Sequence, residues 1–152
     1  MQFIAQSLND MQKLARAVAL NLAAGEHIFL HGPLGVGKSS WTRFLLANRG
    51  FSGHVLSPTY AIVQSYMDLS PAIHHFDLYR LSGVEELDAI GFSEYYSDET
   101  ICVVEWPDLL IADGIEPALS FHLDFSDHSE GRTVHLKGCS RLLSNIQSGL
   151  AS

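Results

Sequence analysis

The chain has 152 residues, 47% of them hydrophobic and 17% charged. That is about one domain's length and a globular composition, so a disordered chain and a low-complexity fibre are excluded. Nine basic residues against 17 acidic ones give a net charge of −8, the wrong sign for holding tRNA or DNA by phosphate contacts alone, though compatible with a local basic pocket for a nucleotide. Two cysteines are too few for a disulfide framework. Cys102 lies in the apolar run 101–104, where a buried, inert thiol is expected. Residues 1–7 carry no basic or long apolar signal segment, and no stretch approaches the roughly 18 apolar residues of a membrane helix. These features predict one soluble, cytoplasmic domain over residues 1–152, with no membrane partner.

In chain order, Ser7 and Asp10 form a capping-box pattern that opens a helix. Its apolar stripe is Leu8, Met11, Leu14, Ala15, Val18, Ala19 and Leu22, and Gly25 is the expected stop. Residues 27–31 read as a buried strand, 32–37 as a glycine-rich turn, and 38–48 as a helix with Trp41, Phe44 and Leu45 on one face. Weak alternation predicts a strand over 60–67 and another over 73–76. Ser82 and Glu85 predict a second capping box, opening a short helix that Gly91 ends. Residues 101–106 form the strongest central-strand signal, being continuously apolar. Phe121, Leu123 and Phe125, then Val134 and Leu136, alternate with polar residues. With the polar link 126–131 they predict a hairpin, and Leu142, Leu143, Ile146 and Leu150 a final amphipathic helix. The order of elements gives an α/β fold with a mixed, partly antiparallel central sheet, and the glycine-rich turn Gly32-Pro33-Leu34-Gly35-Val36-Gly37 followed by Lys38-Ser39 makes it a three-layer, P-loop NTPase-like one.

Gly32-Pro33-Leu34-Gly35-Val36-Gly37-Lys38-Ser39 fits G-x-x-x-x-G-K-[ST]. Such a loop, between a strand and a helix, turns backbone N–H groups and the helix N-terminus toward phosphates. Lys38 supplies a point charge to the β and γ phosphates, and the Ser39 hydroxyl is a ligand for Mg²⁺. Magnesium also needs a carboxylate, and Glu105, closing the 101–104 strand, is the best placed. Asp77 also follows a short strand. It reads equally as a second functional carboxylate or as a cap or partner of Arg80. Thr59 either touches a γ-phosphate or caps the next element, and Trp106 by itself reads as core. The adjacent His74 and His75 would point to opposite sheet faces, which is poor geometry for zinc. No guanine-reading N-K-x-D element is found, so ATP is favoured by default.

Four segments in this order, Gly32 to Ser39, Ser57-Pro58-Thr59-Tyr60, His75-Phe76-Asp77-Leu78-Tyr79-Arg80-Leu81 and Val104-Glu105-Trp106-Pro107, resemble the tRNA threonylcarbamoyladenosine biosynthesis protein TsaE family. The resemblance covers about residues 7 to 136. It implies a small bacterial ATPase that binds ATP and Mg²⁺ and hydrolyses ATP slowly. With TsaB and TsaD, such a protein serves threonylcarbamoyladenosine formation at position 37 of tRNAs reading codons that begin with A, tRNA contact being indirect. Carried over by motif, Lys38, Ser40 and the rest of the loop would hold the nucleotide. Ser39 and Glu105 would hold the metal, and Asp77 would serve hydrolysis. Thr59 would lie in a switch-like segment, Trp106 beside the site, Arg132 near the nucleotide and Ser7 at the border of adenine. Pro33, Val36 and Ser39 replace an acidic residue, Ala and Thr that are common there; Ser keeps the hydroxyl. The competing readings are a small P-loop kinase acting on a metabolite and a nucleotide-gated binding subunit without useful catalysis.

Overall fold

A computed structural model describes residues 1–127 and 130–152. Its elements are β1 (Gln2–Ala5), α1 (Leu8–Ala19), β2 (Ile28–His31), α2 (Lys38–Asn48), β3 (Val63–Tyr66), β4 (Ile73–Asp77), α3 (Val84–Ala89), α4 (Phe92–Tyr95), β5 (Ile101–Glu105), α5 (Asp108–Ala112), β6 (Leu119–Phe125), β7 (Arg132–Gly138) and α6 (Ser140–Ala151). The strands make one seven-stranded sheet in the order β1-β7-β6-β2-β5-β4-β3. Strands β6, β2, β5 and β4 run parallel, while β1–β7, β7–β6 and β3–β4 are antiparallel pairs. Both β4 and β5 are buried along their whole length. Strand β5 is apolar from Ile101 to Val104, as burial on both faces favours, whereas β4 carries the buried polar side chains of His74, His75 and Asp77 beside Ile73 and Phe76.

Side chains alternate across the strands and feed two cores. Ile73, Ile101, Val103 and Phe121 pack with Leu14 and Val18 of α1, Trp41 and Leu45 of α2 and Ile146 of α6. On the other face, Phe76, Cys102 and Val104 pack with Leu87 of α3, Phe92 of α4 and Leu110 of α5. The architecture is therefore three-layered, α/β/α, with a mixed sheet. The C-terminal ends of β2, β4 and β5 fall on one side, and there the chain leaves β2 for the glycine-rich loop.

The capping box at α1 forms: the Ser7 hydroxyl accepts from the Asp10 N–H, and the Asp10 carboxylate accepts from the Ser7 N–H at 3.1 Å. The helix ends at Ala19, earlier than Gly25 suggests. Arg49 explains part of this, since its guanidinium donates to the carbonyls of Ala19 and Leu22 at 2.7 and 3.1 Å, placing a cation at the helix C-terminus. The second predicted box does not form. Gly83 is the N-cap of α3, and the Glu86 carboxylate accepts from the Ser82 N–H at 2.8 Å; the carboxylate one residue later reaches back. The strand predicted over 60–67 begins only at Val63. Pro58 to Ile62 instead close a turn through the Ile62 N–H and the Pro58 carbonyl, with Ile62 at φ 68°. Strand β5 ends at Glu105, because Trp106 takes a left-handed φ of 57°. The hairpin of β6 and β7 is in register from Leu119↔Gly138 to Phe125↔Arg132, and His128 and Ser129 of its predicted link lie outside the described residues. Strand β1 and helices α4 and α5 were not legible; each is at most five residues long, too short for a periodicity to show.

His27 ties β5 to the chain before β2. Its Nδ1 accepts from the Cys102 N–H at 2.9 Å, and its ring stacks on Tyr96 at 3.7 Å between centroids. Burial depresses its pKa to about 4, against weaker upward pulls from the Ser97 carbonyl and Asp98. The unfolded chain therefore takes up a proton near pH 6.5 that the folded chain refuses until about pH 4. The stabilisation is complete above pH 6.5 and is lost as the pH falls toward 4, by up to about 3 kcal/mol. His27→Asn, which keeps an acceptor but does not titrate, should flatten the fall of the urea midpoint between pH 7 and pH 4. An unchanged slope would assign that pH dependence to other groups. The Cys102 thiol is pushed up to about 12 by burial, as expected of an inert core cysteine.

Candidate nucleotide site

The loop after β2 is shaped by glycine where no other residue fits. A Cβ at Gly32 would lie 2.5 Å from the Leu123 carbonyl oxygen, and Gly37, at φ 113°, is the N-cap of α2. The Val36 side chain is buried in the core, so the bulkier residue at this position faces away from the loop's cradle. The loop separates two clefts. The larger, about 620 Å³, is lined by Ser7, Leu8, Met11, Phe44, Phe125 and Arg132 together with Gly35, Gly37 and Ser40. The smaller, about 340 Å³, is lined by Lys38, Ser39, Thr59, Asp77, Glu105 and Trp106, again with Gly35, Gly37 and Ser40. An apolar, aromatic recess suits a base, and a cluster of charged and hydroxyl groups suits phosphates and a metal.

In the smaller cleft the parallel register sets Asp77 directly beside Glu105. Both share the sheet face that α2 covers. The Ser39 hydroxyl donates to Glu105 Oε1 at 2.7 Å, and His75 Nε2 reaches the same oxygen at 2.9 Å. Lys38, 5% exposed, donates from Nζ to the carbonyls of Gly32 and Pro33 at 2.6 and 3.0 Å, and lies 4.3 Å from the Trp106 ring centroid. Burial lowers the Lys38 pKa, with Glu105 and Asp77 pulling it back up. Burial raises the Asp77 carboxyl, and the Glu105 charge adds to the rise; the Tyr79 N–H on Oδ1 at 3.0 Å, His75 and the Thr59 hydroxyl oppose it. Perturbed groups of both signs at strand ends mark a functional-site candidate on physical grounds.

The donor set fits magnesium. Ser39 and Glu105 offer hard oxygen ligands already joined to each other. A hydroxyl that spends its proton on a carboxylate keeps its lone pairs for a cation. Both recorded bonds to Glu105 fall on Oε1, which leaves Oε2 without a hydrogen bond among the described residues.

The remaining predicted residues are placed as follows. Thr59 borders the smaller cleft and shares a 2.7 Å hydrogen bond with the Ser57 hydroxyl. Its segment is tied to the site through the Ile62 carbonyl, which accepts from the Asp77 N–H at 2.9 Å. Asp77 makes no ion pair with Arg80 among the described residues; Arg80 instead lies over the Tyr60 ring at 4.2 Å. Ser7 borders the larger cleft, but its hydroxyl is engaged in the helix cap. Leu34 lines the smaller cleft. Gly32 and Pro33 line a separate recess with Trp106 and reach Lys38 through their carbonyls. Arg132 straps the loop: Nε donates to the Val36 carbonyl at 2.7 Å, and its guanidinium covers Phe125 at 4.7 Å. Sequence reasoning missed Met11, Phe44 and Phe125 as cleft walls, because apolar residues at helix and strand spacing read as core. It also missed His75, whose contact depends on the β4–β5 pairing. The signal that could have found it is the two-residue spacing of His75 and Asp77 within one strand, which puts both on one face.

The sequence profile described as "Threonylcarbamoyl adenosine biosynthesis protein TsaE" matches residues 5–134. The chain is 35% identical over 125 residues to a tRNA threonylcarbamoyladenosine biosynthesis protein TsaE of Haemophilus influenzae, covering 82% of this chain and 78% of that one. It is 34% identical over 134 residues to the protein of the same name in Borreliella burgdorferi, covering 88% and 96%. In three dimensions it matches the crystal structure of YdiB from Bacillus subtilis with a TM-score of 0.76 at 22% identity, over 99% of this chain and 93% of that one. At that identity the likeness speaks for the fold. Among the described residues, no helix is long and apolar enough to cross a membrane.

Proposed function

The chain belongs to the TsaE family, and from that premise we propose that residues 1–152 act as one P-loop ATPase domain serving threonylcarbamoyladenosine formation at position 37 of tRNAs that read codons beginning with A, together with TsaB and TsaD. ATP with Mg²⁺ is its ligand, and slow hydrolysis is its reaction. The observation that carries this reading is the join of Ser39 to Glu105 beside Asp77, at the mouth of the phosphate-binding loop.

Ser39 and Glu105 would hold the magnesium, which would supply charge neutralisation on the triphosphate. Lys38 exchanges its bonds to Gly32 and Pro33 for phosphate oxygens, a small movement because the ammonium already stands in the loop. Asp77, with a raised pKa and a position beside Glu105, orients the attacking water and takes up its proton at a carboxylate oxygen. The base lies in the larger cleft against Phe44 and Phe125.

The metabolite-kinase alternative needs free arginines for the transferred phosphate. Arg132 spends Nε and Nη1 on the carbonyls of Val36, Glu130 and Gly131, and Arg80 stacks on Tyr60. Arg132 is thus engaged, and Arg80 is the one arginine among the residues lining the phosphate cleft, fewer than the several a kinase lid brings to the transferred phosphate, which favours the ATPase reading.

Steady-state phosphate release with and without a TsaB–TsaD pair tests the proposal, paired with binding of labelled tRNA at low salt. The lone chain should release phosphate slowly and bind tRNA poorly, and the pair should raise both. GTP should stabilise the chain less than ATP. Tight, salt-sensitive tRNA binding by the lone chain would contradict the charge argument. Failure to associate with the pair in any nucleotide state would remove the tRNA-modification role and leave the nucleotide site standing.

A further inference from the structure

Glu105 is 4% exposed and His75 1%. They meet through one bond, His75 Nε2 to Glu105 Oε1 at 2.9 Å. The same oxygen takes the Ser39 hydroxyl at 2.7 Å. Ser39 approaches from α2. His75 approaches from within the sheet, because it pairs with Val103, two residues before Glu105 on β5. The carboxylate is thus gripped on one oxygen from two directions.

A carboxylate oxygen only accepts, so the bridging proton is assigned to His75 Nε2. The other ring nitrogen, Nδ1, is buried and has no hydrogen-bond partner among the described residues. A buried polar atom left unpaired is costly and calls for an explanation. A leucine would fill this core position without that cost. What the imidazole adds, and an apolar residue could not, is the bond to Glu105.

The geometry points to His75 as a positioning residue: its Nε2–H clamps Oε1 of Glu105 and so holds the carboxylate in the orientation that binds the magnesium of the nucleotide. The inference rests on the nucleotide reading of the same site. Outer partners of this kind typically set metal affinity or activity by about 10–100-fold, because a ligand that must first be oriented binds more weakly. The bland alternative is that His75 merely satisfies a buried carboxylate. That role would show as lost stability with an unchanged metal requirement.

The test uses the full chain. Thermal unfolding is followed at saturating ATP while Mg²⁺ is titrated, and phosphate release is measured over the same range. In His75→Leu the magnesium midpoint of the ATP-dependent shift should rise by about 10–100-fold, and kcat at fixed magnesium should fall by a similar factor. KM for ATP at saturating magnesium should move little. His75→Gln, whose amide N–H can reach the same oxygen, should stay within a few-fold of wild type. His75→Asn, which is too short, should resemble His75→Leu. In a Glu105→Gln background, His75→Leu should add little further change, since the two act as a unit. A His75→Leu protein that melts lower without nucleotide but keeps the wild-type magnesium midpoint overturns the inference. If His75→Leu does not fold, equal midpoints for His75→Gln and His75→Asn overturn it. A wild-type chain with no magnesium-dependent ATP shift removes the nucleotide reading and this inference with it. A wild-type shift with insensitive His75 variants removes this inference alone.

Discussion

Lys38→Ala should abolish most of the stabilisation that Mg-ATP confers on this chain. At a ligand concentration 100 times its dissociation constant, binding adds about 2.7 kcal/mol to the wild type. For a chain of this size that is a rise in Tm of roughly 5–11 °C. Lys38 stands inside the loop, 2.6 Å from one loop carbonyl and 3.0 Å from the next. Glu105 and Asp77 both pull its pKa back up against burial. Without Lys38 the triphosphate would meet two carboxylates uncompensated. A 100-fold loss of affinity would leave only about 0.4 kcal/mol of stabilisation at the same ATP concentration, a shift near the noise of a melting curve. Arginine should not rescue. The ammonium fits between two backbone carbonyls and the Trp106 ring, whereas a planar guanidinium is wider and presents its donors as a fork. Differential scanning fluorimetry with graded Mg-ATP decides it. A Lys38→Ala protein with the wild-type shift would mean that the loop's backbone alone holds the phosphates.

The parts of this molecule that were legible are those whose signal is local. The glycine spacing from Gly32 to Gly37 announces the loop, since its backbone conformations are denied to residues with a Cβ. Ser7 and Asp10 announce the start of α1, and the apolar run 101–104 announces a strand buried on both faces. What was hidden depends on pairing. Strand β1 has four residues and earns its place through the register with β7. Ser82 looked like a helix cap by spacing, yet Glu86 competes for the same backbone and prevails. Tyr60 to Ile62 looked like a strand by alternation. A left-handed Ile62 bends them into a turn and carries Thr59 to the cleft. Left-handed backbone at a β-branched residue costs on the order of 1–3 kcal/mol and tends to persist near functional sites. Trp106, also left-handed, sits on the site's other flank. Likewise, Arg132 could be matched to a nucleotide neighbourhood from its motif, but not to the Val36 carbonyl across 96 residues of chain.

Asp77→Asn separates chemistry from binding. Asparagine is the same size, and its carbonyl oxygen can still accept the Tyr79 N–H that Asp77 Oδ1 accepts now at 3.0 Å. The fold should therefore persist, with a wild-type melting curve in the absence of nucleotide. What disappears is a negative charge beside Glu105 and a group able to take a proton. Removing one of two carboxylates facing a polyanion cannot weaken its binding electrostatically, so the Mg-ATP shift should be retained or enlarged. Losing the proton acceptor should lower kcat by about 10²–10⁴-fold if general-base assistance is its part. A fall in kcat without a matching change in ground-state affinity is the signature of a group acting in the transition state. The pH profile supplies a second readout. Burial first, and the Glu105 charge next in the same direction, hold the Asp77 carboxyl above its ordinary value of 3.8. A base works deprotonated, so the wild-type rate should fall as the pH drops through that raised pKa, and this acid limb should vanish in Asp77→Asn. Glu105→Gln should also slow hydrolysis, but with a higher magnesium requirement, because it alters a ligand as well as a charge. Ser39→Ala should lower both hydrolysis and binding through the metal. Wild-type turnover in Asp77→Asn would leave Asp77 as the residue that caps the Tyr79 turn, and the water would have to be oriented by another group.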